Sequence, residues 1–293
     1  MTLGSVHKKN ILIVGIDSQI GCALKAELDL FGYSIFGTTR KKENVGERIF
    51  YLDLAQIEAF NFKVPIDVVF LCASITKLSD CQNSLEYSRI VNFEAQIKLA
   101  DYFLKKNAFI IFLSSQTVFG GKKPAYHVDD RTCPITAHGD YKAAVESRLL
   151  NMSYNVAVVR LTKILTPEYP LILHWISALK SNRCIEPFYD LRLSPISIKI
   201  VVACLREIVT KDIKKIIHLS GDGDVTYHTL ALILARLLGV SESLINPKSA
   251  LDANVISPLC LYSSLDMSES KKLFHLPDMS LESILGDLYS AHL

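Results

Sequence analysis

Short apolar runs alternate with amphipathic stretches along the first 160 residues, and that alternation predicts the fold. Residues 10–15, Asn-Ile-Leu-Ile-Val-Gly, form an apolar run that stops at glycine, the pattern of a strand buried on both faces. Ile20, Leu24, Leu28 and Phe31 follow at helical spacing, and Gly32 ends that helix. Tyr33 to Gly37, Arg48 to Leu52 and Asp67 to Leu71 read as the next three strands. Residues 92–106 predict a helix with Phe93, Ile97 and Ala100 on one face. Ala108 to Leu113 reads as a fifth strand, residues 138–151 as another helix, and Asn155 to Val159 as a sixth strand. Strands and helices alternating at this spacing predict a doubly wound α/β fold, a parallel sheet covered on both faces by right-handed crossovers. After Arg160 the texture changes, because Pro167, Pro170, Pro187 and Pro195 cut the pattern into shorter pieces. That part is expected to cap the carboxyl edge of the sheet, where ligands of open α/β folds bind. Ile216 to Leu219 predicts one strand returning to the sheet, with a helix over 226–238 behind it.

Composition narrows the function classes. Apolar residues make up 49% of the 293, enough for a large core. Lys and Arg number 32 against 30 Asp and Glu, for a net charge of +2, and no long run of like charge occurs. Nothing therefore argues for nucleic acid or a membrane surface; Lys41-Lys42 and Lys122-Lys123 read as solvated turns. No apolar run approaches the roughly 18–20 residues of a membrane span. The first ten residues are polar, so no signal peptide is expected. The seven cysteines, Cys22, Cys72, Cys81, Cys133, Cys184, Cys204 and Cys260, are odd in number and lack a Cys-x-x-Cys spacing. Core thiols of a cytoplasmic protein are expected, rather than disulfides or a zinc site.

The candidate chemistry begins at Gly15-Ile-Asp-Ser-Gln-Ile-Gly21, between the first strand and the first helix. In dinucleotide folds the first glycine of this turn permits the bend and the last lets helix and strand pack closely. The pyrophosphate sits on the helix N-terminus. Ser18 replaces the usual middle glycine; it fits if its φ is negative, and its hydroxyl can bond a phosphate. A Rossmann-like turn without a ligand is the plainer alternative. The second strand ends in Thr38-Thr39-Arg40-Lys41, with no carboxylate for a ribose 2′-hydroxyl. Arg40 can pair with a 2′-phosphate, so NADP is favoured over NAD; a surface arginine is the other reading. Asp53-Leu54 is placed to meet an adenine edge, or to cap a helix.

These elements together resemble the extended short-chain dehydrogenase/reductases, and within them the dTDP-4-dehydrorhamnose reductase group of nucleotide-sugar 4-ketoreductases. The turn, with Gly15, Ser18, Gln19, Ile20 and Gly21, is similar to that group's Gly-x-x-Gly-Gln-Leu-Gly. Cys72-Ala73-Ser74 resembles its Asn/Cys-Ala-Ala segment under the cofactor, and Val91-Asn92 its Val-Asn helix opening. Residues 114–120, Ser-Ser-Gln-Thr-Val-Phe-Gly, resemble Ser-Thr-Asp-Tyr-Val-Phe-Asp, and Lys142 to Glu146 its Lys-x-x-x-Glu. Leu193 to Ser197, His218 to Gly221 and Ser264 to Ser268 match later elements, so the resemblance covers nearly the whole chain. It implies a Rossmann-type dinucleotide domain over 1–165 and a smaller sugar-nucleotide lobe over 166–293. It also implies an NADP-linked reductase or epimerase-type enzyme on a nucleotide-activated 4-keto sugar, feeding surface polysaccharide or a glycosylated metabolite. A homodimer is compatible with it.

The departure is at position 138. In the family a tyrosine four residues before the lysine protonates the carbonyl oxygen, the lysine lowers the phenol pKa, and a Ser/Thr hydroxyl bonds the same oxygen. Lys142 and Ser115 hold the second and third roles; counting back from Lys142 gives His138. Three readings stay open. His138 replaces the phenol as acid; Tyr141, roughly 60° round the helix, takes its place; or turnover is lost and the protein binds a dinucleotide or nucleotide sugar as a regulatory or interaction protein. The literal Tyr-x-x-x-Lys at Tyr102 to Lys106 precedes the Ser114-Ser115 strand and reads as chance. His127, Asp129 and Asp130 read as loop packing, not metal ligands. No Gly-x-Ser-x-Gly elbow surrounds Ser114 or Ser115, which argues against a hydrolase. His174-Trp175 borders a sugar pocket or fills a core; Arg160 makes a structural ion pair or serves the family's site. Arg192 and Lys199 meet a diphosphate or lie on the surface.

Overall fold

In the computed structural model, which describes residues 8–59, 61–253, 255 and 261–292, Asn10–Val14 (β1) lies inside a seven-stranded sheet. Its neighbours are Ser34–Thr39 (β2) and Val68–Leu71 (β4), both parallel to it. Ile49–Tyr51 (β3) pairs outside β2, and Phe109–Ser115 (β5) pairs with β4, again in parallel. Val156–Leu161 (β6) and then Ile216–Leu219 complete the order. The chain runs outward from β1 to β2 and β3 on one side, then crosses from β3 back to β4 on the other side of β1. The carboxyl ends of β1 and β4 therefore flank the switch point at which doubly wound sheets bind ligands.

The strands read as continuous apolar runs because both faces are covered. Leu12, Val14, Val69, Leu71, Ile110, Phe112, Val156 and Val158 join one buried cluster with Leu99, Phe103, Val145 and Leu149 from two helices. Ile11, Ile13, Val68 and Phe70, at the alternate positions, are just as buried. The helix Gln19–Leu30 (α1) lies on the chain between β1 and β2. Arg206 donates to Glu27 at 2.8 Å, and Lys9 donates to the Val209 carbonyl at 3.1 Å, so the helix Ile198–Lys211 is fastened beside α1.

Two expected faces differ. Gly21, Leu24 and Leu28 are the buried residues of α1, while Phe31 lies beyond its end, 57% exposed, with the Arg206 guanidinium 4.0 Å from its ring centre. The expected helix over 92–106 opens as a π-helical turn, Ile90–Glu94, and continues as Ala95–Leu104. Its buried side is Asn92, Ala95, Gln96, Leu99, Ala100 and Phe103, whereas Phe93 and Ile97 are only partly buried against the core. A π turn carries extra residues per turn, so it rotates the face. Among the described residues, five α-helices were not foreseen: Leu78–Asn83, Leu85–Arg89, Ile198–Lys211, Ser268–Leu273 and Leu281–Tyr289.

The chain forms two compact units, each built from three segments: 1–114, 136–159 and 202–216 in the first, and 115–135, 160–201 and 217–293 in the second. The lobes expected over 1–165 and 166–293 differ from these units at 115–135, 160–165 and 202–216. In the second unit Phe119 stacks on Tyr126, ring centres 4.3 Å apart, and the Asp224 carboxylate accepts from the amides of Ser263 and Ser264. The described cysteines are free thiols. Cys260 and residues 1–7, part of the expected leaderless start, lie outside the described residues. Among the described residues no helix is long and apolar enough to cross a membrane.

Candidate active site

The Gly15–Gly21 turn is fixed by contacts that leave no room for side chains. Gly15 has φ +84, and a Cβ there would lie 2.7 Å from the Ala73 Cβ. A Cβ on Gly21 would lie 2.3 Å from the Gly15 carbonyl oxygen. Ser18 has φ −71, the condition under which serine replaces glycine, and caps α1 by accepting from the Gly21 amide at 3.0 Å. The amides of Gln19 and Ile20 open the helix, where i→i−4 geometry leaves N–H groups over. Thr38 Oγ1 accepts from the Gly15 amide at 3.1 Å and ties the turn to the end of β2.

Beside this turn lies a cavity of about 510 Å³, a size typical of small-molecule sites. Gly15, Asp17, Ser18, Thr38 to Lys41, Tyr51 to Leu54, Ala73 to Ile75 and Val91 line it. Of the expected cofactor residues, Gly15, Ser18, Arg40, Asp53, Leu54, Ala73 and Ser74 are thereby brought together. Asp53 Oδ1 also accepts from the Ala55 amide at 3.0 Å, so it caps the short helix that follows as well as facing the cavity. Asp17 was not foreseen. Thr39 Oγ1 donates to Asp17 Oδ2, and Asn44 Nδ2 donates to Oδ1 at 3.1 Å. An acidic residue inside a glycine turn was the available signal.

The cavity's far wall is held by one carbonyl. Ile75 O accepts from Asn92 Nδ2 at 2.9 Å, from His138 Nδ1 at 3.0 Å and from the Cys81 thiol at 3.2 Å. Asn92 Oδ1 accepts in turn from the Ile75 amide at 2.8 Å and the Ser74 hydroxyl at 3.0 Å. Asn92 is fully buried, and its side chain acts on the cavity through Ser74 and Ile75. Cys72 and Ala73 both donate their amides to Val14 O, and burial pushes the Cys72 thiol up to about 12 against the pull of the nearby Lys142 charge.

Helix Ala137–Met152 begins with Thr136, whose hydroxyl accepts from the Gly139 amide at 3.1 Å. That cap sets His138 and Lys142 one turn apart, each 4% exposed. A carbonyl can only accept, so the bond to Ile75 puts the imidazole proton on Nδ1. Burial, then the Lys142 charge, lower His138 to about 4, which leaves a neutral ring with a bare Nε2. Lys142 Nζ donates to Leu113 O at 2.8 Å and lies 4.7 Å from the Phe112 ring centre. Burial lowers Lys142 to about 8, with Cys72 and Glu146 pulling it back up. The Ser114 hydroxyl donates to Glu146. Tyr141 goes elsewhere, its hydroxyl donating to Leu85 O at 2.9 Å.

In the second unit, the Ser115 hydroxyl donates to Gln116 Oε1 at 2.8 Å and accepts from the Thr117 amide. Arg160 donates to Val128 O at 3.1 Å and to His218 Nε2 at 3.3 Å. Its guanidinium is 5.0 Å from the Phe119 ring centre. Burial, then Arg160, lower His218 to about 4. Asp130 pairs with Lys123 at 2.7 Å and accepts from the His127 amide, as loop packing requires. Trp175 is buried, 6.5 Å from the Tyr227 ring, while His174 is exposed. Lys199 pairs with Asp287 at 2.8 Å, and Arg192 lies against Tyr262. In the first unit, Lys106 donates to the Tyr102 hydroxyl at 2.5 Å and to Phe62 O at 3.1 Å, so that Tyr-x-x-x-Lys pair fastens the segment before β4. No His/Cys/Asp/Glu cluster among the described residues is arranged to hold a metal.

The chain is 22% identical over 254 residues to methionine adenosyltransferase 2 subunit beta of Bos taurus, covering 83% of this chain and 76% of that one. It is 20% identical over 290 residues to a probable low-salt glycan biosynthesis reductase, Agl14, of Haloferax volcanii, covering 95% and 97%. The crystal structure of dTDP-4-dehydrorhamnose reductase from Bacillus anthracis, in complex with NADP, superimposes with a TM-score of 0.82 at 18% identity, covering 96% of this chain and 98% of that one. Residues 9–292 match the RmlD substrate binding domain family, and the chain belongs to that family.

Proposed function

We propose that this chain is a dinucleotide-linked reductase or epimerase-type enzyme acting on a nucleotide-activated 4-keto sugar. The observation that carries this reading is the cavity at the switch point, walled by the Gly15–Ser18 turn, the end of β2, Asp53-Leu54 and Ala73 to Ile75. These residues fit NADP or NAD. The open amides of Gln19 and Ile20 and the Ser18 hydroxyl suit a pyrophosphate, Thr39 to Lys41 the adenosine ribose, and Asp53-Leu54 an adenine edge. The dinucleotide, when bound, supplies hydride transfer. The chain's own residues supply position and protons. Lys142 is a buried cation whose remaining N–H groups suit ribose hydroxyls. His138, neutral with its proton on Nδ1, leaves Nε2 as a hydrogen-bond acceptor for a sugar hydroxyl, and with its pKa lowered to about 4 it holds that hydroxyl in place rather than taking its proton at neutral pH. Ser115 is the expected partner of the sugar oxygen.

The second reading, a binding protein that serves a partner without turnover, has one observation on its side. A neutral His138 with a bare Nε2 has no proton to give where the family's phenol gives one. Two assays separate the readings. Titration with NADPH and NADH should give saturable binding, and a panel of 4-keto nucleotide sugars should give dinucleotide oxidation. His138→Tyr should raise reduction, by up to the roughly 10²–10⁴-fold that general acid catalysis contributes. Saturable binding with no turnover by either protein would favour the second reading, and no dinucleotide binding would remove the first.

A further inference from the structure

The end of β2 carries no acidic residue, yet a carboxylate stands there. Asp17 brings it from the glycine turn, held by the Thr39 hydroxyl on one oxygen and the Asn44 amide on the other. Thr39 is buried, and its oxygen also accepts the Lys41 amide at 2.9 Å, so its hydrogen is committed to Asp17. What the strand end presents to the cavity is therefore the carboxylate rather than the threonine. Two anchors stop it from swinging away. Asn44 reaches it because residues 42–44 fold as a single 3₁₀ turn directly after β2.

Arg40 and Lys41 line the same cavity, and neither side chain has an ion-pair partner among the described residues. The wall thus makes two opposed demands. A ribose 2′-hydroxyl donates a hydrogen bond, which a carboxylate accepts. A 2′-phosphate has no hydrogen to give at neutral pH beyond a minor fraction; it suits Arg40 and Lys41 and is opposed by Asp17. We infer that Asp17 sets the discrimination between dinucleotides with a 2′-hydroxyl and those with a 2′-phosphate, taking the part that an acidic residue at the end of the second strand takes in other dinucleotide folds. The inference rests on the dinucleotide reading proposed above. It makes Asp17 the counterweight to Arg40, so the preference for NADP expected from the strand end alone is weakened.

The test is a set of titrations of the wild-type protein and Asp17→Asn with NADPH, NADH and 2′-deoxy-NADH. The substitution keeps the shape of the side chain and removes its charge. The ratio of the NADPH to the NADH dissociation constant should fall at least tenfold in the variant, about 1.4 kcal/mol. Wild type should bind 2′-deoxy-NADH more weakly than NADH. An unchanged ratio in the variant, or equal wild-type affinity for NADH and its 2′-deoxy analogue, overturns the assignment and leaves the dinucleotide reading standing. Failure of wild type to bind any of the three overturns both. If Asp17→Asn does not fold, the wild-type comparison of NADH with its 2′-deoxy analogue decides alone.

Discussion

His138 and His218 are neutral for the same reason. Each is buried and each faces a cation, Lys142 and Arg160, and together these outweigh the carbonyl that Nδ1 contacts, Ile75 O and Asp266 O, which pulls the other way. Both are lowered from 6.5 to about 4. The unfolded chain therefore binds more protons than the folded one between these values, and stability falls as pH falls through that window. Between pH 7 and pH 5 each histidine should cost about 2 kcal/mol, an order-of-magnitude figure. Denaturant unfolding at the two pH values checks this. His138→Gln, which can still donate to Ile75 O, should remove its share of the slope; an unaltered slope would show that the imidazole is not the proton acceptor. At this scale the sequence was partly legible. The sequence shows a histidine one turn before Lys142, but its tautomer was not legible, since it depends on a carbonyl 63 residues away. Asp17 was missed for a similar reason. The rule that places an acidic residue at the end of the second strand looks along one strand, and the carboxylate arrives from another segment.

The glycines separate turns that need hydrogen from places that merely have it. A Cβ on Gly21 meets backbone atoms, at 2.3 Å from Gly15 O and 2.9 Å from Ile16 Cα, which cannot yield without moving β1 away from α1. Gly21→Ala should lose about 1–3 kcal/mol and weaken dinucleotide binding along with it. Gly286, inside the helix Leu281–Tyr289, has nothing within 4 Å of the added carbon, so Gly286→Ala should instead gain up to about 1 kcal/mol. Paired thermal melts of the two variants check the contrast, and a Gly21→Ala protein as stable as wild type would contradict the close packing. The elements β1, β2, α1 and Ala137–Met152 were legible to within a few residues. The π turn at Ile90–Glu94 was not. Its sequence fits an ordinary helix, and the wider turn accompanies the buried bonds of Asn92 to Ser74 and Ile75.

At the scale of the molecule, the doubly wound sheet follows from the alternation of apolar runs and helices. The partition of the chain did not, because pattern is read along the sequence while compact units are defined by packing. Residues 202–216 belong to the first unit, and the bonds of Arg206 to Glu27, Tyr33 to Thr210 and Lys9 to Val209 O show what they supply. A fragment of residues 1–165 lacks that cover over α1. It should show no cooperative thermal transition by circular dichroism; a sharp melt like that of the full chain would mean the first 165 residues suffice.

The same interleaving sets an order of events during synthesis. A nascent chain emerges from the ribosome one end first, and a domain built from contiguous residues can close as soon as its last residue clears the exit tunnel. Here the Gly15 turn and Asp17 are made early, but the helix that backs α1 is made some 180 residues later. Until then Lys9, Glu27 and Phe31 lack the partners that this helix supplies, and the segment around α1 is open to other contacts, a stage at which chaperones would find it.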